Sequence, residues 1–443
     1  MSEIAIAPIL RPDAAHSEQT IFALATGAGR SALAAMRLSG PAAGSLLAAL
    51  AGRLPPPRLA SFRRLRVPDS GETLDSALIL WFPAPASYTG EDCAELFLHG
   101  SHAVIQAVSE VLASLGARPA EPGEFTRRAF LNGRMDLLQA EAVADLVDAE
   151  STAQRRQALR QLEGKLGDLY RCWADRLRGL LARAEAAIDF SDEDVPDPTD
   201  DTELTSLRTA IAAHLADDRA GERLREGLTV VVVGPPNAGK SSLINALAGQ
   251  EVAIVAPTPG TTRDALEARI VLGGIPLTLV DTAGLRESTD AIEAEGMRRA
   301  RARAASADLV LAVTDAAAPA PFVVEASAPV LTLANKTDLA PSPASEFAVS
   351  AVTGAGLAEL RNRLAGLAQA LTAKSGSPPL TRARHRSALL EAEAALAAAH
   401  AAPVPELRAE DLRAALAAFG RITGAVGVEG ILDSIFSTFC IGK

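Results

Sequence analysis

The rhythm of apolar and polar positions changes three times along the chain. Between residue 19 and about residue 130, "QTIFALAT", "ALAAMRLSG", "LDSALILWF" and "CAELFLHG" read as strands. The stretch "SHAVIQAVSEVLASLG" reads as one helix, closed by Gly116. That mixture predicts an α+β domain. From Asp136 to Asp189 apolar residues recur every three or four positions, as at Leu137, Leu138, Ala142, Val143, Leu146 and Val147. The helical pattern runs through "LGDLYRCWADRLRGLLARAEAAIDF" and stops at the acidic, proline-containing "SDEDVPDPTDD", a linker. A further helix leads to Gly227. From Leu228 to Leu371 strands and helices alternate, which predicts a mostly parallel, doubly wound sheet. After the break "AKSGSPPL" the pattern is helical again from Ala383 to Lys443. The expected division is 1–132, 133–226, 227–375 and 376–443, with the α/β domain inserted between two helical segments that pack as one.

Composition narrows this picture. A chain of 443 residues exceeds one ordinary core, and aromatics are only 4% of it, so Ala, Leu and Val carry the packing. Cys93, Cys172 and Cys440 are too scattered for a disulfide framework or a zinc site, and they fit a reducing compartment. His99 and His102 have no third nitrogen or thiol nearby and do not make a metal site. No apolar run is long enough to span a membrane, so the expected location is the cytoplasm. The ending Cys440-Ile441-Gly442-Lys443 has the outline of a prenylation box, but Gly442 is not aliphatic and Lys443 is not a usual last residue. A net charge of −11 opposes nonspecific binding to nucleic acid. Any RNA contact must come from local patches such as Arg127-Arg128, Arg155-Arg156 or Arg298 to Arg303.

The strongest chemical signal is "LTVVVVGPPNAGKSSLINAL". An apolar strand runs into Gly234-Pro235-Pro236-Asn237-Ala238-Gly239-Lys240-Ser241, followed by Ser242 and an amphipathic helix. The loop's amides can wrap phosphates at a helix N-terminus, Lys240 adds charge at the β and γ phosphates, and the Ser241 hydroxyl can hold Mg²⁺. Next comes "PGTTRD" with Gly260, Thr261 and Thr262, either threonine being able to close over the γ-phosphate. "LTLVDTAG" then supplies Asp281, Thr282, Ala283 and Gly284. "VLTLANKTD" ends a strand in Asn335, Lys336 and Asp338, whose carboxylate can accept both the ring N–H and the amino group of guanine but finds neither on adenine. Ser350 and Ala351, in "VSAVTGAGL", support the base. The set predicts a GTPase. Leu285 stands where Ras-like enzymes place a water-orienting glutamine, so either hydrolysis is very slow or a nearby group, with Glu287, Asp290, Glu293 and Glu295 as candidates, orients the water.

"PGEFTRRAFLNGRMDLLQAEAVADLVDA" and "ITGAVGVEGILDSIFSTFCIGK" are not generic GTPase features, and with the motifs above they make nearly the whole chain resemble the MnmE (TrmE) family. The resemblance implies an N-terminal α+β domain like the tetrahydrofolate-binding domains of one-carbon enzymes. It also implies a helical domain carrying a Ras-like P-loop GTPase domain. Such proteins are homodimers that bind 5-formyltetrahydrofolate or a related folate. With an FAD-dependent partner, MnmG (GidA), they place an aminomethyl or carboxymethylaminomethyl group on C5 of the wobble uridine of certain tRNAs. Carried over residue by residue, K⁺ falls to Asn237 and to the loop carrying Ala256, Thr258 and Thr261. Mg²⁺ falls to Ser241 and Thr262, and the water-orienting carboxylate to Glu293. Folate falls to Arg37, Glu95 and Arg134, with Lys443 and a potentially reactive Cys440 close by. Arg134 replaces the lysine of many members, a change of hydrogen-bonding geometry at constant charge.

Two other readings use the same motifs. A switch or ribosome-assembly GTPase would carry a basic RNA-binding module such as a KH domain, which the sequence lacks. A regulatory subunit would leave all redox chemistry to its partner, and this chain has no flavin or nicotinamide fingerprint of its own.

Overall fold

The computed structural model describes residues 19–27, 29–189, 201–217, 219–249, 267–281, 307–318, 326–341, 346–373, 378–426 and 429–443. The first six strands are β1 (Ile21–Leu24), β2 (Ser31–Ser39), β3 (Ser61–Arg66), β4 (Thr73–Phe82), β5 (Cys93–Gly100) and β6 (Arg118–Pro119). The second six are β7 (Leu228–Val233), β8 (Glu267–Leu272), β9 (Ile275–Asp281), β10 (Leu309–Asp315), β11 (Val330–Asn335) and β12 (Phe347–Ala348). The helices before β7 are α1 (Ala43–Ala51), α2 (His102–Ser114), α3 (Glu124–Leu131), α4 (Leu137–Val147), α5 (Thr152–Leu162), α6 (Lys165–Asp189), α7 (Thr202–Leu215) and α8 (Ala220–Glu226). After β7 come α9 (Lys240–Ala248), α10 (Leu357–Thr372), α11 (Ala383–Ala401), α12 (Pro405–Thr423) and α13 (Glu429–Phe436).

These elements form two compact units. One comprises the described residues of Met1–Ala144, Gln161–Thr205 and Glu391–Lys443, the other those of Asp145–Arg160 and Ser206–Leu390.

In the first unit the strand order is β3-β4-β5-β2-β1-β6, antiparallel except for β1 beside β6. Alternation along β4 sends Ala77, Ile79 and Trp81 into a core with Leu46, Leu47 and Leu50 of α1 and Val108 and Leu112 of α2. The other face carries a registered row, Phe62, Leu78, Phe97 and Ala35, in which Leu78 is 40% exposed. The expectation of one helix here misses α1, and it also misses β3, whose "SFRRLR" alternates with arginines. Further along, Tyr170 and Trp173 of α6 pack on Phe419 of α12.

The expected helical run from Asp136 to Asp189 is divided into α4, α5 and α6: one capping box opens it at α4, a second restarts it at α5, and Gly164, at φ 84°, interrupts it before α6. Asp136 Oδ1 accepts from the Gln139 amide while Gln139 Oε1 accepts from that of Asp136. Ser151 and Gln154 repeat the arrangement.

The second unit holds a sheet ordered β12-β11-β10-β7-β9-β8, parallel except for β8 against β9. Strands such as "LTVVVV" are apolar almost throughout, and Val230 and Val231, which point to opposite faces, are both buried. The core joins Val230, Val232, Leu279, Leu311 and Leu333 to Leu243 of α9 and Leu360 and Leu364 of α10. Gln154 and Gln157 of α5 donate to the carbonyls of Arg225 and Gly221, which fixes α5 against α8. Arg386 of α11 bridges Asp217 and Glu222. Among the described residues no helix is long and apolar enough to cross a membrane.

Candidate active site

The ends of β7, β9 and β11 bring together the groups expected to hold a nucleotide. Val233 leads into a loop in which Asn237 has φ 64° with its side chain at the surface, and Gly239 has φ 84° immediately before α9. A Cβ on Gly239 would lie 2.3 Å from Asn335 Nδ2, so only glycine allows the phosphate loop to meet the loop after β11. Asn335 is 1% exposed; its Nδ2 donates to Ala238 O at 3.0 Å and its Oδ1 accepts from the Ala351 amide at 3.1 Å. One buried carboxamide thus fastens three loops.

Lys240 is buried, and its Nζ donates to the carbonyls of Gly234 and Pro235 at 2.9 and 3.0 Å. Burial pushes its pKa down and Asp281 partly opposes this. Ser241 Oγ donates to Asp281 Oδ2. Asp281 ends β9 and is 2% exposed, so a hydroxyl and a carboxylate meet where Mg²⁺ chemistry requires hard oxygen donors. Ser242 is exposed on the first turn of α9. Asp338 accepts from Ser350 Oγ at 2.6 Å, which orients the carboxylate at the base position. Lys336, at φ 66°, pairs with Asp315 at 2.7 Å, and this lysine holds the Asp315 carboxyl below its usual range. Asp315 was not foreseen, although "LVLAVTD" ends a strand in a carboxylate just as "LTLVD" does. Ala256, Thr258, Gly260, Thr261, Thr262, Thr282, Ala283, Gly284 and Glu293 lie outside the described residues.

The N-terminal candidates also converge. Arg37 on β2 lies opposite Glu95 on β5, joined through Nε at 3.1 Å and Nη2 at 2.8 Å. The guanidinium sits over Tyr88 and Phe125, 5.0 and 5.8 Å from the ring centroids. Tyr88 is hydrogen-bonded to Thr126, and burial pushes its pKa up. The loop carrying Tyr88 continues to Gly90, against which the Arg134 side chain is laid.

The C-terminal residues lie along the same domain. Gly123 N donates to Cys440 O at 3.5 Å, Ile441 bridges Pro122, and Gly442 at φ 96° approaches Leu24 so closely that a Cβ would be 2.3 Å from its carbonyl oxygen. Cys440 is exposed, and Lys443 N donates to Cys440 O. Tyr88, Phe125 and Thr126 were missed because a loop and a helix bring them to Arg37, or to its neighbour Tyr88, only through tertiary packing.

Of the basic pairs offered for RNA, Arg128 is 5% exposed and held by Glu91 and Glu124, while Arg127 pairs with Asp433 at 3.1 Å. Neither is presented to a ligand in the way a phosphate contact needs. Arg155 and Arg156 are exposed on α5, and 298–303 lie outside the described residues.

A glycine-rich phosphate loop, a strand-end aspartate against its serine and a carboxylate fixed by Ser350 just beyond β11 are the parts of a P-loop GTPase. Around that domain the matches are more particular. Residues 20–134 match the family model described as GTP-binding protein TrmE N-terminus, and residues 137–440 the MnmE helical domain. "tRNA modification GTPase MnmE" of Gluconacetobacter diazotrophicus is 55% identical over 434 residues, covering 96% of this chain and 99% of that one. The proteins of the same name from Granulibacter bethesdensis and Rhodospirillum rubrum are each 54% identical, covering 96% of this chain and 100% and 99% of theirs. The chain belongs to the MnmE family. It has that family's architecture: an N-terminal α+β domain and a helical domain carrying a Ras-like GTPase domain.

Proposed function

We propose that this protein hydrolyses GTP in the service of tRNA modification, acting with an FAD-dependent MnmG (GidA) partner. Together they place an aminomethyl or carboxymethylaminomethyl group on C5 of the wobble uridine. The observation that carries the reading is the near-full-length identity to proteins named for tRNA modification, in a chain whose nucleotide groups converge as a GTPase requires. Its place of action is the cytoplasm.

Each residue has a task in this reading. Lys240 turns from the loop carbonyls to the β and γ phosphates and neutralises charge there. Asp338, oriented by Ser350, selects guanine. Ser241 with Thr262 would hold Mg²⁺; Asn237 with the carbonyls around Ala256, Thr258 and Thr261 would hold K⁺. When bound, these cations supply positive charge beside the β and γ phosphates. Glu293 orients the attacking water, and Gly284 offers its amide to the γ-phosphate. In the N-terminal domain Arg37, Glu95 and Arg134 would hold a folate. Its fit is supported by a charged pair walled by the Tyr88 and Phe125 rings. A homodimer is part of the same reading.

GTP turnover in KCl and in NaCl at equal ionic strength, with Asn237→Ala alongside, tests the proposal. Strong K⁺ stimulation that the substitution abolishes supports cation-driven pairing of GTPase domains. Equal, slow rates in both salts would remove the role of Asn237 and favour a switch GTPase awaiting a separate activator.

A further inference from the structure

The chain carries a net charge of −11, yet no Asp or Glu occurs from Gln19 to Pro68. Arg53, Arg58, Arg63, Arg64 and Arg66 fall in the last part of that stretch, beyond α1 and along β3, the outermost strand of its sheet. Arg63 is half-buried and the other four are exposed. Many arginines of the chain end on carboxylates, as Arg37 does on Glu95 and Arg386 on Asp217 and Glu222. Here the partners are carbonyl oxygens: those of Ala86 for Arg58, Phe62 for Arg63 and Gly71 for Arg66. Among the described residues none of the five pairs with a carboxylate. Leu59 and Phe62, set among them, are 60% and 68% exposed.

We propose that this sheet edge binds the sugar–phosphate backbone of tRNA, an inference that rests on the tRNA-modifying reading above. Alternate residues of a strand are about 6.8 Å apart and point the same way. Arg64 and Arg66 therefore present two guanidinium forks at a spacing comparable with that of successive phosphates, and such forks match phosphate oxygens in pairs. Phe62 adds a flat apolar surface for a base. Because the chain as a whole is acidic, a strip free of carboxylates stands out as a place for RNA to approach.

The test is binding of bulk tRNA by the full-length protein between roughly 50 and 200 mM KCl. The triple substitution Arg63→Gln, Arg64→Gln, Arg66→Gln should weaken binding at least tenfold at the low-salt end. It should also make the slope of log affinity against log salt shallower by roughly 2 to 3. The corresponding Arg→Lys triple should keep the slope, and Phe62→Ala should lower affinity without altering it. GTP turnover, unchanged in each, reports that the protein is folded. Should the Gln triple lose turnover, Arg53→Gln with Arg64→Gln, both at the surface, should still flatten the slope by roughly 1 to 2.

Unchanged affinity and slope in the Gln variants, with wild-type binding intact, would overturn the proposal alone. So would dissociation of the protein's own oligomer in place of RNA loss, or loss of binding to anionic phosphatidylglycerol vesicles with tRNA binding retained. Failure of the wild-type protein to bind tRNA at any salt would overturn both the proposal and the reading beneath it.

Discussion

The nucleotide site and the N-terminal site place charged groups together by different means. In the GTPase domain, loops at the ends of parallel strands meet through backbone groups and one buried carboxamide, Asn335. The side chains that would touch the ligand, Lys240 and Asp338, contribute little to holding the strands. In the N-terminal domain the candidate ligands are the cross-strand contacts themselves, since Arg37 and Glu95 face each other in the sheet and the Arg37 guanidinium lies over Tyr88 and Phe125. The first arrangement separates chemistry from stability. The second joins them.

The largest expected effect on this contrast comes from Lys240→Ala, which should lower GTP turnover on the order of 10²–10³-fold, the scale for losing one group that stabilises developing charge. Turnover and thermal melting measured on the same preparation decide it: a melting temperature falling along with the rate would erase the distinction. Gly239→Ala should cost about tenfold to a hundredfold in GTP affinity. Its Cβ would displace Asn335 Nδ2, and its φ of 84° strains any side chain by about 1–3 kcal/mol. Guanine selectivity should fall with it, measured by competition between GTP and ATP.

The third prediction concerns acid. His214, 6% exposed, is pushed down to about 4, chiefly by burial; Arg386 and His385 act in the same direction and Asp217 opposes them. Its neutral form is the one that folds, so the stability it confers is complete above about pH 6.5 and is lost as pH falls toward 4, by up to about 3 kcal/mol. His214→Asn should flatten that limb of a urea denaturation series, and an unaltered acid limb would remove the assignment. Smallest is Arg37→Ala, expected to cost about 1 kcal/mol of stability and to abolish 5-formyltetrahydrofolate binding while GTP turnover stays at the wild-type level. A change in turnover without a change in melting would invert the comparison.

What could be read from sequence follows the same line. Lys240, Ser241, Asp281 and Asp338 were legible because each stands in a contiguous motif at a strand end, where local order dictates position. The phosphate loop's context, an apolar strand before and an amphipathic helix after, was legible for the same reason. Tyr88, Phe125 and Thr126 were not: a loop before β5 and the first turn of α3 reach Arg37 or Tyr88 only through tertiary packing, and no short window carries that information. Arg128 looked like a surface charge in "TRRAF", yet the turn of α3 that buries it also supplies Glu124 at one helical turn as its partner. The division of the long helical run was legible in principle, since "STAQ" has the spacing of a capping box and Gly164 interrupts the pattern before Lys165, but periodicity alone passes over both.

The packing of α6 on α12 has a consequence in time. Tyr170, Trp173, Leu177 and Leu180 of α6 are made early, and the helix that covers them is among the last parts of the chain to be synthesised. At ribosomal rates of roughly 5–20 residues per second, this apolar stripe waits about 10 to 50 s for its cover. Throughout that interval an entire GTPase domain is emerging and folding, so the nascent chain is a natural client for chaperones that hold exposed hydrophobic helices.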